Sequence, residues 1–422
     1  MSRTALKSSG SLLRPLTTTP LTNNAPLARS AFSKHARITL PFDRPRSLYG
    51  YTQAKALVYT KHGEPKDVLQ LHNHSLSPPH SHLVTLKTLA APLNPADINQ
   101  IQGVYPSLPP FTTSLGTAQP SAIPGNEMLA EVVNVGGSVS TLKPGDWVVP
   151  ARSGLGTWRT HLQVDEGDVL KVSSKKDQEQ GGKTPSKIEL SMATVNPITA
   201  YRLLQDFTAL SPGDWVLQNG ANSAVGRCVI QLARKWGFKT INIIRDRADA
   251  DALAALKSDL QSLGADIVVE DSKLENSKVW KPLLKDAVGG NGGNMPKLGL
   301  NCVHGKPALG VLKSLAPGSP FVTYGAMSKQ PLPLPAGLLI FKNYNVTGFW
   351  VSKWGAENPE EKKKTVAEVV EMMRSGELSL GEMIEECAWG WKTKEEDLRD
   401  TVQGTLEGFR KGKGVFSFNV DM

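Results

Sequence analysis

The chain has 422 residues, 40% of them hydrophobic and 21% charged. This suits one large or two ordinary globular domains and excludes a small module that needs disulfides or metals for stability. The formal net charge is +9, but residues 1–50 contain eight Lys or Arg and one Asp. Because residues 51–422 therefore carry only +2, the composition does not favour a nucleic-acid-binding protein. Three cysteines are too few for a disulfide framework.

The N-terminal region has the composition of an organelle transit peptide. Residues 1–42 contain six Lys or Arg, twelve Ser or Thr and no Asp or Glu. We expect residues 1–50 to form a mitochondrial transit peptide and leader, cleaved between Ser33 and Tyr51, and the mature protein to reside in the mitochondrial matrix. A disordered tail is the alternative. No window reaches the run of about 18 apolar residues that spans a bilayer, so no membrane span is predicted.

The first part of the mature chain is predicted to be rich in β-strands. Short apolar runs separated by Pro and Gly clusters occupy residues 56–59, 83–89, 129–135 and 143–149. Residues 172–188 are polar and lack periodicity, which predicts an exposed loop. We therefore assign residues 51–190 to a β-rich domain.

The second part alternates strands with helices. The glycine-containing loop at 219–226 lies between a predicted strand and a predicted helix that ends at Gly237. Further strands are predicted at residues 240–244, 265–269, 298–303, 320–324 and 345–350, with a helix at 249–263. This order predicts an α/β fold with a doubly wound parallel sheet over residues 191–348. Residues 349–422, with a helix at 360–374 and a strand at 414–420, are predicted to return to the first domain.

The loop that contains Gly220 and Gly226 is a candidate site for a dinucleotide. A loop between a strand and a helix presents backbone N–H groups and the positive end of the helix dipole to a pyrophosphate. The residues that would form this cradle are Asn222, Ser223, Ala224 and Val225. A structural tight turn is the alternative.

The end of the next strand favours NADPH over NADH. The residue that recognises the cofactor's ribose is expected about 20 residues after the glycine loop, where Arg245 and Arg247 stand. Guanidinium groups bind a 2′-phosphate well, whereas an acid binds a ribose hydroxyl. Because Asp246 lies between the two arginines, NADH stays a minor alternative. A further alternative is that these residues only form an exposed polar strand end.

A resemblance becomes specific at Leu93–Pro110, the segment that contains Tyr105. Together with Asn196–Tyr201, the glycine loop, Arg245–Arg247 and the segments that begin at Tyr324 and Phe349, it resembles the mitochondrial trans-2-enoyl-thioester reductases, which are zinc-free members of the medium-chain dehydrogenase/reductase superfamily. The resemblance covers residues 52–422. It implies a GroES-like catalytic domain and a Rossmann-type cofactor domain.

The resemblance also implies a function. It implies reduction of 2-enoyl thioesters, carried on acyl carrier protein or coenzyme A, by NADPH in mitochondrial fatty-acid synthesis. It further implies a homodimer in which the last strand of the cofactor sheet pairs across the interface. An NADPH:quinone oxidoreductase is the alternative enzyme, and a non-catalytic nucleotide or RNA-binding protein is the alternative of another class.

Site residues follow from the resemblance position by position. Tyr105 matches the catalytic tyrosine, whose neutral hydroxyl can donate a proton at pH 7. His304 departs from the family, which usually carries glycine there. Phe341, Phe349 and Trp350 are candidates for an acyl pocket, although core packing is expected for Phe341. The residues that match cofactor contacts are Asn196, Asn222, Ser223, Ala224, Val225, Gly226, Arg245, Asp246, Arg247, Tyr324, Gly325, Ala326, Met327, Phe349, Trp350, Val351, Ser352 and Lys413.

No metal is expected. Zinc dehydrogenases with this two-part layout use Cys and His ligands, whereas this chain has Pro124-Gly125-Asn126-Glu127 at the corresponding motif and lacks the four-cysteine lobe. We expect Glu127 to be a buried hydrogen-bonding residue. Metal binding by a histidine cluster is a minor alternative; its members are His62, His72, His74, His80 and His82.

Overall fold

The computed structural model describes residues 50–179, 185–289, 294–380, 384–406 and 412–420. All of them belong to one compact unit, Pro45–Met422. The predicted transit peptide, apart from Gly50, lies outside the described residues, as does the middle of the predicted loop at 172–188.

The strands of the described residues are β1 (Thr52–Val58), β2 (Gln70–Leu76), β3 (Leu83–Pro92), β4 (Leu129–Val135), β5 (Asp146–Pro150), β6 (His161–Asp165), β7 (Val169–Ser174), β8 (Trp215–Asn219), β9 (Lys239–Ile244), β10 (Ile267–Glu270), β11 (Leu298–Asn301), β12 (Pro320–Thr323), β13 (Asn345–Gly348), β14 (Ile384–Gly390) and β15 (Lys413–Asn419).

The helices of the same residues are α1 (Pro65–Val68), α2 (Pro95–Gln102), α3 (Lys175–Glu179), α4 (Lys187–Ser191), α5 (Asn196–Gln205), α6 (Ala224–Trp236), α7 (Ala250–Ser262), α8 (Asp271–Glu275), α9 (Ser277–Ala287), α10 (Gly305–Lys313), α11 (Ala336–Lys342), α12 (Val351–Glu357), α13 (Pro359–Ser375) and α14 (Glu395–Leu406).

The first large sheet is mostly antiparallel and combines both ends of the mature chain. Its strand order is β14-β15-β3-β4-β5-β7, with β6 also paired to β3. The last strand, β15, runs antiparallel to β3, so that Val415 lies opposite Pro92. The strands predicted at 83–89, 129–135 and 414–420 are thus present in one sheet. The domain boundaries at residues 190 and 348 stay predictions.

The second sheet is parallel and doubly wound, as the alternation of strands and helices predicts. Its order is β10-β9-β8-β11-β12-β13, and each neighbouring pair is parallel. Every residue of the central strands β8 and β11 is buried. Because parallel strands end at the same edge of a sheet, the loops after β8, β9, β11 and β12 meet there.

One apolar core joins the two sheets. Buried Leu129 and Val149 from the first sheet belong to the same cluster as Val216 and Leu300 from the second, with residues of α5, α6 and α13 between them. This shared core fixes the first sheet, and the loops that it carries, beside the carboxyl edge of the second. The cleft between them is therefore a feature of the packed fold.

Two sequence predictions are wrong in this part of the chain. The predicted exposed loop at 172–188 contains the end of β7, the helix α3 and the start of α4, and Val172 and Ile188 are buried. Single apolar residues among polar ones hid the end of β7 and the start of α4, because each of these two elements buries only one side in the core. Phe341, expected in the core, lies in the short helix α11 with 82% of its surface exposed.

We predict that Gly226→Ala destabilises the fold. A Cβ atom at this position would lie 2.6 Å from the backbone oxygen of Ala221, so α6 must move away from the loop after β8. The free energy of unfolding should fall by about 2 kcal/mol, as in overpacked cores. Denaturant titration checks the effect, with Gly137→Ala as the matched control because nothing lies within 4 Å of that Cβ. Equal stability of the two variants would contradict the close packing.

Candidate active site

A cleft at the carboxyl edge of the parallel sheet contains two adjoining cavities. The first, about 880 Å³, lies beside the ends of β8, β9 and β11 and includes Arg245 in its lining. The second, about 600 Å³, lies against the first sheet and includes Tyr105. The residues that line both cavities mark their junction, and they are Asn222, Ser223, Cys302, His304 and Met327.

The glycine loop forms the start of α6 at this junction. The Ser223 hydroxyl accepts a hydrogen bond from the Gly226 backbone N–H at 3.1 Å and caps the helix. The first N–H groups of a helix have no partners within it, so those of Ala224 and Val225, unlike that of Gly226, are available to an anion. Gly220 has φ +62°, and a Cβ atom there would meet Cys302 Sγ at 2.5 Å. The loop thus has the local form of a phosphate-binding turn.

Buried side-chain amides lock the strand ends beneath the loop. Asn219 at the end of β8 donates to Asn301 Oδ1 at 2.8 Å, and Asn301 donates to the Thr323 hydroxyl at 3.0 Å. Asn301 also accepts from the backbone N–H of His304 at 3.1 Å. The sequence analysis missed these residues, although amides at the ends of apolar strands were a usable signal. They hold the loops that carry both cavities.

The three residues after β9 have different surroundings. Arg245 lines the first cavity, whereas Asp246 and Arg247 line neither cavity. The Asp246 carboxylate accepts from the Ser272 backbone N–H at 3.1 Å and from its hydroxyl at 2.7 Å. A hydrogen bond with the Asp271 carboxyl lowers the pKa of the Asp246 carboxyl, and the bonds to Ser272, which tie Asp246 to α8, lower it further. Arg245, but not Asp246, therefore lines the first cavity, whose lining also includes the acidic residues Asp271 and Glu275.

Tyr105 and Trp350 meet across the cleft. The Trp350 Nε1–H donates to the Tyr105 hydroxyl oxygen at 2.8 Å, and the two rings are perpendicular. Gln100 donates to the Ser107 carbonyl oxygen at 2.8 Å and so anchors the loop that carries Tyr105. Burial raises the pKa of Tyr105, and hydrogen bonds from Trp350 and Ser352 oppose the increase. The phenol is therefore protonated at neutral pH.

A buried polar network lies beside Tyr105. Lys413 Nζ, in the lining of the second cavity, donates to Asn94 Oδ1 at 2.5 Å, and Asn94 Nδ2 donates to Glu127 at 2.8 Å. Glu127 also accepts from the backbone and hydroxyl of Thr194, which confirms it as a buried hydrogen-bonding residue. Burial raises the pKa of the nearby Asp97 carboxyl to about 6. Two carboxyl groups thus surround one lysine.

The second cavity collects most of the remaining predicted residues. Asn196, 7% exposed, is the first residue of α5, and its Nδ2 has no partner among the described residues. Burial and the neighbouring Cys302 thiol hold the pKa of Tyr324 well above its ordinary value. Gly226 and Ser352 line neither cavity; Ser352 accepts from the Ser153 hydroxyl at 3.1 Å. The predicted residues that line the second cavity are Tyr105, Asn196, Asn222, Ser223, Ala224, Val225, Tyr324, Gly325, Ala326, Met327, Phe349, Trp350, Val351 and Lys413.

Neither a metal cluster nor a spanning helix is found in the described ranges. Within them, no three or more His, Cys, Asp or Glu side chains are grouped so that they could hold a metal ion. No helix there combines the length and apolarity that crossing a bilayer requires.

The polar groups that line the cleft match the chemical groups of a dinucleotide. Along the cleft, the unpartnered amide of Asn196 could bind a carboxamide, the capped start of α6 could bind a diphosphate, and Arg245 could bind a further phosphate. The residues present therefore fit NADPH.

Two family models match the chain. The alcohol dehydrogenase GroES-like domain matches residues 80–174, and the zinc-binding dehydrogenase model matches residues 224–373. These matches cover strands of the antiparallel sheet and most of the parallel sheet, respectively.

Known proteins with similar sequences and structures extend over most of the chain. The mitochondrial enoyl-[acyl-carrier-protein] reductase of Schizosaccharomyces pombe is 41% identical over 86% of this chain and 94% of its own length, and the human enzyme is 42% identical over 78% and 80%. The mitochondrial 2-enoyl thioester reductase Etr1p/Etr2p heterodimer from Candida tropicalis superposes with a TM-score of 0.80, 37% identity and coverage of 87% of this chain and 100% of that one.

Other solved structures place the fold in a wider group. A complex of Etr1p with NADP and crotonyl-CoA has a TM-score of 0.80 at 36% identity, covering 87% of this chain and 100% of that one. A putative NADPH:quinone reductase from Bacillus thuringiensis has a TM-score of 0.69 at 22% identity, covering 87% and 99%, and shares the fold. On the sequence identities and coverage of the enoyl reductases, the chain belongs to the family of mitochondrial enoyl-[acyl-carrier-protein] reductases.

Proposed function

We propose that the chain reduces trans-2-enoyl thioesters, carried on acyl carrier protein or coenzyme A, to saturated acyl thioesters with NADPH as the reductant. The observation that carries this proposal is the Tyr105 hydroxyl, which Trp350 holds in the wall of the cavity that Asn196 and the start of α6 also line. The relatives named as enoyl reductases, and the Etr1p complex that contains NADP and crotonyl-CoA, support the same reaction.

The cofactor would extend along both cavities. Arg245 would pair with the 2′-phosphate, the N–H groups of Ala224 and Val225 would bind the diphosphate, and Asn196 would bind the nicotinamide carboxamide. Asp246 faces α8, so its carboxylate is not placed to repel a phosphate in the first cavity. When bound, NADPH supplies the hydride that is added to the β-carbon of the substrate.

Tyr105 would supply the proton. Hydride addition to the β-carbon places negative charge on the thioester carbonyl oxygen, and a donor aimed at that oxygen lowers the barrier. Because the Trp350 N–H donates to the Tyr105 oxygen, the phenolic hydrogen remains free to point at the substrate. The same bond stabilises the phenolate and so opposes the effect of burial on the Tyr105 pKa. Tyr105 can thus hold the enolate oxygen and then deliver a proton towards the α-carbon.

Lys413 would adjust the electrostatics of the second cavity. Burial lowers its pKa, while the negative charges of Glu127 and Asp97 oppose that decrease. Asn94 fixes the position of its Nζ. A positive group held in this wall favours negative charge that develops on a ligand oxygen nearby.

Apolar residues in the same cavity would receive the acyl chain. Leu93, Met192, Phe349, Leu380 and Ile384 all contribute to its lining. They come from elements associated with both sheets, so the pocket exists only when the two parts are packed together. Burial of each acyl methylene in such a pocket contributes about 0.8 kcal/mol to binding.

The protein would act in the mitochondrial matrix as a homodimer. The relatives are named as mitochondrial enzymes, and residues 1–42 have a transit-peptide composition.

The parallel sheet ends at β13, and the preceding helix α11 exposes Ile340 and Phe341. Within the described ranges, no strand pairs with the outer edge of β13, and such an edge beside exposed apolar side chains favours pairing with a second copy. Sedimentation equilibrium should give twice the chain mass; a single-chain mass would contradict the dimer.

The reaction itself is tested with the purified chain. We expect crotonyl-CoA to cause oxidation of NADPH, seen as loss of absorbance at the reduced nicotinamide band. A parallel assay with a quinone should give less oxidation, because the aimed Tyr105 hydroxyl and the apolar lining of the second cavity suit an enoyl thioester. Absence of oxidation with 2-enoyl thioesters of several lengths would contradict the proposed function.

Tyr105→Phe separates chemistry from binding. The variant keeps the ring that packs against Trp350 but loses the donor, so we expect kcat for crotonyl-CoA reduction to fall by about 100-fold or more. The Kd of NADPH, measured by nicotinamide fluorescence, should change less than about twofold. Unchanged turnover would remove Tyr105 from the catalytic role.

Arg245→Ala tests the cofactor choice. Loss of a charge-assisted bond to the 2′-phosphate should raise the Kd of NADPH by about tenfold or more and leave the weak binding of NADH unchanged. Arg247→Ala provides the comparison, and its smaller expected effect follows from its position outside both cavities. Equal losses for NADPH and NADH in Arg245→Ala would show that the arginine supports the loop without contacting the phosphate.

A further inference from the structure

His304 has a backbone conformation that normally requires glycine. Its φ is +71° and its ψ is −171°, a region that side chains disfavour by about 1–3 kcal/mol. The strained loop is held in place because Asn301 Oδ1 accepts from the backbone N–H groups of Val303 and His304 at 3.3 and 3.1 Å. A side chain retained at such a position calls for an explanation, since glycine would remove the strain.

The two imidazole nitrogens of His304 have different surroundings. Nδ1 lies 3.3 Å from the carbonyl oxygen of Gln330. A carbonyl oxygen only accepts, so Nδ1 carries the hydrogen and Nε2 of the neutral ring carries the lone pair. Nε2 is buried and has no partner among the described residues. Such an atom is expected to be paired when the protein works, because burial without a partner costs free energy.

The side chain stands at the junction of the two cavities. His304 lines both of them, together with Asn222 and Ser223 at the start of α6. A dinucleotide that occupies both cavities must therefore pass His304 with its diphosphate and an adjoining ribose. Phosphate oxygens at neutral pH only accept hydrogen bonds, whereas a ribose hydroxyl can donate to the lone pair of Nε2.

We propose that cofactor binding turns the His304 ring enough to expose Nε2 to the cavities, and that Nε2 then accepts a hydrogen bond from a ribose hydroxyl of the bound dinucleotide, at the junction between the diphosphate and the nicotinamide. The inference rests on the proposed function only in taking NADPH as the ligand. The free-energy cost of the strained loop is then offset by a hydrogen bond that forms when the cofactor binds. In this role His304 is a binding residue and does not take part in proton transfer to the substrate.

Three variants separate this role from a structural one. His304→Gly removes the side chain and the strain. His304→Asn retains a polar atom near the position of Nδ1, which contacts Gln330, but none at Nε2. His304→Gln can place an acceptor near the position of Nε2. Each variant is titrated with NADPH and with 2′,5′-ADP, which contains the adenosine phosphates but lacks the nicotinamide-side ribose.

We expect His304→Gly and His304→Asn to raise the NADPH Kd by about fivefold or more, the effect of one lost hydrogen bond. His304→Gln should stay within about twofold of the wild type. The Kd of 2′,5′-ADP should stay within about twofold in all three variants. The melting temperature of the glycine variant should be no lower than that of the wild type, because the strain is relieved.

NADPH affinity in His304→Gly or His304→Asn equal to that of the wild type would overturn the inference. Parallel weakening of 2′,5′-ADP would also overturn it, because the loss would then reflect a displaced loop. Failure of the wild-type chain itself to bind NADPH would instead contradict the proposed function, so the two failures are distinguishable.

Discussion

The site depends on one apolar core that two sheets share. Residues of β4 and β5 pack in the same cluster as residues of β8 and β11, with α5, α6 and α13 between them. The core holds the first sheet, and with it the Tyr105 loop, against the carboxyl edge of the parallel sheet, where crossover connections leave a crevice. Without this core, Tyr105 and Trp350 would have no fixed separation, and the hydrogen bond between them could not form reliably. The geometry of the proposed catalytic site is therefore a consequence of core packing.

Polar groups inside that apolar frame determine what the cleft can bind. The amides of Asn219 and Asn301 satisfy one another and the loop after β11, so the strand ends are rigid where a diphosphate would lie. On the opposite wall, Asn94 connects Lys413 to Glu127 in a buried network. Buried charges are costly unless they are paired. In this network the Glu127 carboxyl lies near the ammonium group of Lys413, which lines the cavity. In the proposed reaction, the first wall would hold the diphosphate and the second would polarise the substrate beside the apolar space that would receive the acyl chain.

Much of the fold could be predicted because its elements carry strong local patterns. The strand at 129–135 and the helix that ends at Gly237 are found as predicted, since alternation and a left-handed C-cap are visible in a few residues. The end of β7 and the helix α4 were missed because each buries only one side, and α14 because its buried Leu398 and Val402 stand among charges. The sequence motif singled out the glycine loop and the family resemblance singled out Tyr105, and both line the second cavity, while their roles stay predictions. The Asn94–Glu127–Lys413 network could not be predicted, because Lys413 lies 319 residues from Asn94 in the sequence and reaches it only when β15 pairs with β3.

The central claim is that one hydride and one proton enter the substrate from different sources: the hydride from the bound dinucleotide and the proton from the Tyr105 side. The most direct measurement is mass analysis of the product when crotonyl-CoA and NADPH react with the full chain in deuterium oxide. Proton delivery from an exchangeable phenol predicts butyryl-CoA with one deuterium at the α-carbon and none at the β-carbon. Deuterium from solvent at the β-carbon, or an unreduced thioester, would contradict the account.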